Sequence, residues 1–293
     1  MKTVTIIGVG NAGGALAIAL SRSGYRIDKL VHKSSETARK IKRKNISSAA
    51  LSKWPRIGEL TSEIVIIAVP DPEIDAATRC LKQFISKGQT VLHTSGSLTS
   101  SELDGLARLG CHTGSIHPLV SISDPFRGAE QFAGAYFCVE GDKSAVSMAR
   151  RIVKDLHGKS FALKPAKKAL YHAAAVTSAG HVTALFDVAV EMLTKAGVTK
   201  PEASRILFPL ILSAAENLGR QSTDAALTGS FARLDIAAFE RHLASFGPLS
   251  EPIQQLYLIL AERSLDIVER RDGPGKALTA FRKRISIAKR NSK

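Results

Sequence analysis

Cysteine, methionine and tryptophan are scarce in this chain, and acidic residues are outnumbered by basic ones. Three cysteines, Cys80, Cys111 and Cys138, are spread over 293 residues with no Cys-x-x-Cys pair. That spacing excludes a disulfide framework and a cysteine-built zinc site, and it fits reduced thiols. Only 5% of residues are aromatic. None is interleaved with the basic tail from Arg282 to Lys293, which argues against single-stranded nucleic acid as a partner. The apolar start of the chain is interrupted by Gly8, Gly10, Gly13 and Gly14, and no other run reads as a membrane span. A cytoplasmic protein with neither membrane nor nucleic acid as partner is expected.

The composition, 44% apolar and 23% charged, is that of a globular chain. Its net charge of +15 is local. Residues 33–56 hold eight Lys or Arg against Glu36, and residues 276–293 hold seven with no acid. The second stretch reads as a solvated helix end with a frayed terminus.

Val4-Thr5-Ile6-Ile7 is a β-branched run that enters Gly8-Val9-Gly10-Asn11-Ala12-Gly13, and Ala15 to Leu20 continue as helix formers. A Gly-x-Gly-x-x-Gly between a strand and a helix supplies a tight turn and free N–H groups for a pyrophosphate. A second strand over 25–31 ends in His32-Lys33-Ser34-Ser35, with Arg39 one helical turn on. Cationic and hydroxyl donors there suit the 2′-phosphate of NADP rather than the ribose hydroxyls of NAD. Glu63 to Val69 is almost continuously apolar, as in a central parallel strand, and it stops at Pro70-Asp71-Pro72. Further strands are expected over 90–93, 114–118 and 136–139. The carboxyl edge of such a sheet binds ligand, so Val69, Pro70, Asp71, Ser95 and Gly96 join the cofactor set of Gly8, Gly10, Asn11, Ala12, Gly13, His32, Lys33 and Ser34. Beyond about residue 162 strand patterning stops and four long helical segments follow. The expected architecture is an α/β dinucleotide domain over 1–162 and an all-helical domain over 163–293.

Six segments in order, from the glycine fingerprint through Val69-Pro70-Asp71, His93-Thr94-Ser95-Gly96, Ser115-Ile116-His117-Pro118 and Tyr171-His172-Ala173-Ala174-Ala175 to Ala226-Leu227-Thr228-Gly229, carry a resemblance. The chain resembles Rossmann-like proteins with a C-terminal helical domain of unknown function, number 2520 in that series. These are distantly similar to pyrroline-5-carboxylate reductase and the 6-phosphogluconate-dehydrogenase-like fold. The resemblance implies a dinucleotide domain followed by a helical, dimer-building domain. It departs from the family pattern at Gly180, where Asn usually precedes the histidine, and at Ser230, where Pro is usual.

Hydride transfer belongs to the nicotinamide, so the protein must position an acceptor and supply a proton. On one helix running from Pro165 to Ala196, steps of about 100° per residue would put Tyr171, Ser178 and His181 on a common face. His181 is then the expected general acid and Ser178 its companion. His172 would lie opposite His181, so the two could not share a metal, and no zinc pattern is present. His117, Tyr171, Thr228 and Arg233 are expected to line the substrate site, with Arg233 able to clamp a carboxylate. Lys167 and Lys168 read as a solvated pair. The expected function is NADP-dependent reduction of a small carbonyl or imine, with a non-catalytic dinucleotide sensor or scaffold as the alternative. Related folds also bind deazaflavin, which the basic cluster does not separate from NADP. Apolar residues on more than one side of 170–193 predict a homodimer.

Overall fold

The computed structural model describes residues 1–46 and 48–291. Eight strands lie in one sheet: β1 (Thr3–Ile7), β2 (Arg26–His32), β3 (Ala50–Lys53), β4 (Ile64–Ile67), β5 (Thr90–His93), β6 (His112–Pro118), β7 (Tyr136–Gly141) and β8 (Lys159–Ala162). Their order is β3-β2-β1-β4-β5-β6-β7-β8. All neighbours are parallel except β6 and β7, which run antiparallel.

The sheet is covered on both faces, which is why its central strands read as unbroken apolar runs. Val4, Ile6, Ile64, Ile66 and Leu92 join one cluster with Leu16 and Leu20 of the helix Asn11–Arg22. Alternate positions Ile7, Val65, Ile67 and Val91 join the cluster on the opposite face. The chain order reverses between β1 and β4, and this switch point opens a crevice at the carboxyl ends of those strands. The short edge strands β3 and β8 lie outside the sequence expectation. Ala50-Leu51-Ser52-Lys53 and Lys159-Ser160-Phe161-Ala162 have no fully buried residue, so they carry little of the apolar signal on which strand reading depends.

The chain divides into two compact units, Met1–Ala179 and Gly180–Lys293. The first therefore includes the helix Lys168–Ser178, which the sequence reading placed in the helical region. A single helix from Pro165 to Ala196 is not what forms. Ala179 leaves the helical region at φ −127° and ψ −69°, and a separate helix, Gly180–Lys195, follows. By length and composition the stretch Pro165–Lys195 could cross a membrane, contrary to the expectation that no run approaches one; its window has a mean hydropathy of 1.4.

In the second unit Phe239, Leu258, Leu265, Phe281 and Ile285 form the core, with Phe231 stacked on Phe281 at 5.7 Å between ring centroids. The basic C-terminal stretch belongs to this core rather than to solvent. It forms the helix Lys276–Asn291, which buries Leu278, Phe281 and Ile285. Arg282 pairs with Asp266 and Glu269, Arg284 with Glu240, and Lys289 with Glu262. Residues 292 and 293 lie outside the described residues.

Phe281 is fully buried, so Phe281→Ala is expected to destabilise the second unit by about 3–5 kcal/mol. Urea unfolding followed by circular dichroism measures this. A loss below about 1 kcal/mol would mean that the tail helix is not part of that core.

Candidate active site

The chain turns sharply at the end of β1. Gly8 adopts φ +92°, and a Cβ there would come within 2.5 Å of the Ala68 carbonyl oxygen and 2.8 Å of Val69 Cγ1. A Cβ on Gly13 would sit 2.0 Å from the Gly8 carbonyl oxygen. Only glycine fits either place. A Cβ on Gly10, the N-cap of the helix Asn11–Arg22, would meet nothing within 4 Å, because this residue faces the cavity beside it. That helix begins with no side-chain cap and no acid in its first turn. Its N–H groups and positive dipole end are left to receive an anion.

The cavity encloses about 430 Å³. Seven residues expected at the cofactor meet around it: Gly8, Gly10, His32, Lys33, Ser34, Val69 and Pro70. Gly13 lies behind the turn. Neither Asn11 nor Ala12 lines the wall, and the Asn11 amide donates to the carbonyls of Ile122 and Ser123 at 3.2 and 3.1 Å. Arg39 is exposed and does not line the wall; the Ser35 side chain lies outside the described residues. Sequence reasoning missed Thr37, Trp54, Glu73, Ala76 and Ala77. Trp54 comes from the unexpected edge strand, whose pairing it extends by donating its N–H to the His32 carbonyl at 3.0 Å. As the one tryptophan in the chain it was the available signal. Lys33 Nζ lies 2.7 Å from the Glu73 carboxylate. His32 is buried with Nδ1 unpartnered. Burial first, then Arg39 and Lys53, lower its pKa, which keeps the ring a neutral hydrogen-bonding group at pH 7.

A second group of polar side chains sits at the carboxyl ends of β4, β5 and β6. His93 is fully buried. Its Nδ1 accepts the Ser95 N–H at 3.2 Å, so Nε2 carries the proton and donates to the Thr99 carbonyl at 3.0 Å. Burial above all, and then Lys168, lower its pKa to about 4. Ser95 and Ser97 hydroxyls donate to the Asp71 carboxylate at 2.8 and 2.6 Å. Asp71 and Ser95 therefore brace the loop after β5 and do not line the cavity beside Gly10.

Lys168 is the largest departure from expectation. It is only 1% exposed, whereas Lys167 is solvated. Its ammonium donates to the Leu98 carbonyl and to Ser115 Oγ, and it lies 3.7 Å from Glu140. Glu140 also accepts the Ser100 N–H at 2.9 Å and the Ser100 hydroxyl at 2.6 Å. Burial pushes the lysine pKa down and Glu140 holds against it. An ammonium with a carboxylate partner and two further acceptors can remain inside the protein; a bare one cannot.

Above this layer His117 and Tyr171, both expected at the substrate site, are brought together: Nδ1 and the phenol oxygen are 2.6 Å apart. The His172 ring packs edge-on to His117 with centroids 5.5 Å apart, and its Nδ1 has no hydrogen-bond partner. Both rings close over Gly96, where a Cβ would meet His172 Nδ1 at 2.3 Å and His117 Nε2 at 2.8 Å. Burial, then His172, lower the His117 pKa to about 4, and burial raises that of Tyr171. The pair is thus a neutral imidazole and an un-ionised phenol at neutral pH.

The family models match this layout. Residues 1–118 match a Rossmann-like domain, and residues 135–264 match the domain of unknown function DUF2520. The chain joins a Rossmann-like domain to a DUF2520 domain. The DUF2520 match starts at the β7 end of the sheet and runs through both compact units. Among solved structures, a candidate NADP oxidoreductase of Bacteroides fragilis is 21% identical with a TM-score of 0.73, over 92% of this chain and 98% of that one. A reductive aminase of Aspergillus terreus, in complex with NADPH and ethyl levulinate, is 18% identical with a TM-score of 0.63, over 97% and 99%. A pyrroline-5-carboxylate reductase of Coxiella burnetii is 17% identical with a TM-score of 0.57, over 97% of both chains. At these identities the likeness is one of fold. No curated protein matches.

The remaining expected residues of the DUF2520 region lie on separate elements. The break at Ala179 removes the common helical phase on which the grouping of Tyr171, Ser178 and His181 rested. Ser178 is exposed and donates back to the Ala175 carbonyl at 3.1 Å, and His181 is exposed on the next helix. Thr228 and Arg233 are exposed at the two ends of the single-turn helix Gly229–Ala232. Asp235, a possible partner of Arg233, instead caps the following helix by accepting the Ala238 N–H. Among the described residues no group of three metal-binding side chains occurs.

His93 and His117 have folded-state pKa values of about 4 against the ordinary 6.5. Between those values the unfolded chain binds more protons, so stability is full above pH 6.5 and falls as the pH drops towards 4, by roughly 3 kcal/mol at most for each ring. Urea midpoints measured across that range are expected to fall with acidification, and His117→Gln to flatten the fall. An unchanged slope in the variant would show that its ring is not a source.

Proposed function

We propose that this Rossmann–DUF2520 protein is an NADP-dependent oxidoreductase that reduces a small carbonyl or imine by hydride transfer. The observation that carries the reading is the coincidence, on one cavity, of a glycine turn open to an anion with a lysine and a serine at the end of β2. The open space over Gly10 and the unpartnered buried nitrogen of His32 fit a nucleotide there. Fold-level likeness to a reductive aminase solved with NADPH supports the same choice.

The residues divide the work. The N–H groups after Gly8 receive the pyrophosphate, and Lys33 and Ser34 take the 2′-phosphate. Bound NADPH supplies the hydride. Tyr171 donates its hydroxyl proton to the nitrogen or oxygen that gains negative charge; His117, 2.6 Å away, stabilises the phenolate left behind by a hydrogen bond from Nδ1–H, and the phenol regains its proton from solvent. Neither group has to be ionised beforehand, which suits their opposed pKa shifts. His93, Ser95 and Asp71 hold the loop on which Gly96 lies, and the Lys168–Glu140 pair holds the helix carrying Tyr171.

Calorimetry with NADPH is expected to give a micromolar dissociation constant, weakened about tenfold or more by Lys33→Gln. Absence of NADPH binding ends this reading. With a turned-over imine or ketone found by screening, Tyr171→Phe is expected to lower kcat by about 10²–10⁴-fold while NADPH affinity is kept. Unchanged turnover would remove Tyr171 as the donor.

The same reading includes a homodimer. Phe208 and Leu210, on the helix Lys200–Arg220, are 58% and 67% exposed, and Leu170 is 71% exposed. A second copy of the chain covering these apolar faces accounts for them. Light scattering is expected to give twice the chain mass of 31.3 kDa. A monomer at working concentration contradicts it.

A further inference from the structure

The acid that normally reads an adenosine ribose stands at the end of the second strand, where this chain has Lys33. The cavity nevertheless has a carboxylate in its wall. Glu73 arrives from the turn after β4, two strands across the sheet from β2, and pairs with Lys33 at 2.7 Å. Both side chains stay accessible, at 63% and 37%, and exposed pairs of this kind add little to stability. What the pair does is set the charge of the cavity mouth. Alone, Lys33 would offer a full positive charge; beside Glu73 it offers a nearly balanced one.

We propose that Glu73 is the residue that sets discrimination between 2′-phosphorylated and unphosphorylated dinucleotides, by acting as the internal counter-ion of Lys33. The inference rests on the dinucleotide reading above. A 2′-phosphate needs Lys33, and it brings negative charge against Glu73, so it binds only after the carboxylate yields its partner. A ribose diol carries no charge and needs an acceptor, which Glu73 supplies while keeping its ion pair. The chain is thereby tuned to a narrow preference for NADP over NAD rather than to exclusion of NAD.

The test needs no substrate. Trp54 is the one tryptophan of the chain and lines this cavity. Its quenching therefore reports occupancy, and calorimetry of the same titrations with NADPH and NADH reads the constants independently of that reporter. Glu73→Gln keeps the size and removes the charge. It is expected to tighten NADPH about tenfold and to weaken NADH severalfold, and the gain on NADPH shrinks at high salt. Lys33→Gln is expected to do the reverse to NADPH and to leave NADH within about twofold. A wild-type protein that binds NADPH, with an NADPH-to-NADH ratio unmoved by Glu73→Gln, overturns the inference and leaves the dinucleotide reading in place. A wild-type protein that binds neither overturns both.

Discussion

At the carboxyl end of β1 two stretches of backbone approach so closely that no side chain fits between them. The Gly8 position is filled by the Ala68 carbonyl and the Gly13 position by the Gly8 carbonyl. This contact ties the first turn of the leading helix to the end of β4, across the place where the strand order reverses. It holds the crevice at the switch point open and aims the free N–H groups of that helix into it. The cavity, the placement of Lys33 against Glu73, and the approach of Trp54 from the sheet edge all follow from that fixed corner.

A second constraint operates deeper in the sheet. The Lys168 ammonium, with Glu140, Ser115 and the Leu98 carbonyl, takes up a cation that the interior would otherwise reject. Through it one helix is pinned to three separate strand ends or loops, and that helix carries Tyr171 and His172. The His117 imidazole above it is kept neutral by burial of the same kind. Pinning by charge and neutrality by burial are thus two results of one dry environment.

Much of the first unit was legible in the sequence, because its signals are local. A β-branched run into spaced glycines, an apolar strand stopped by Pro70, and Thr90-Val91-Leu92-His93 each announce themselves within a few residues. The edge strands β3 and β8 were not legible, since exposed four-residue strands have no apolar alternation to read. The fate of Lys168 was hidden for a different reason. Its partners lie 28 to 70 residues away in the chain, and Lys167 beside it is solvated, so sequence neighbourhood carries no trace of the difference. The same holds for Glu73, whose relation to Lys33 exists only because β4 and β2 flank β1. The grouping of Ser178 and His181 with Tyr171 went astray on one dihedral pair at Ala179, in an alanine-rich run with nothing to mark a stop.

That interruption has a consequence for how the chain tolerates change. In an unbroken helix, inserting or deleting one residue rotates every later side chain by about 100°. Here the helix Lys168–Ser178 ends at a non-helical residue before Gly180–Lys195 begins, so the two helices take their phases separately. A length change ahead of Ala179 has a joint at which it can be absorbed, and the face that the following helix presents need not turn with it.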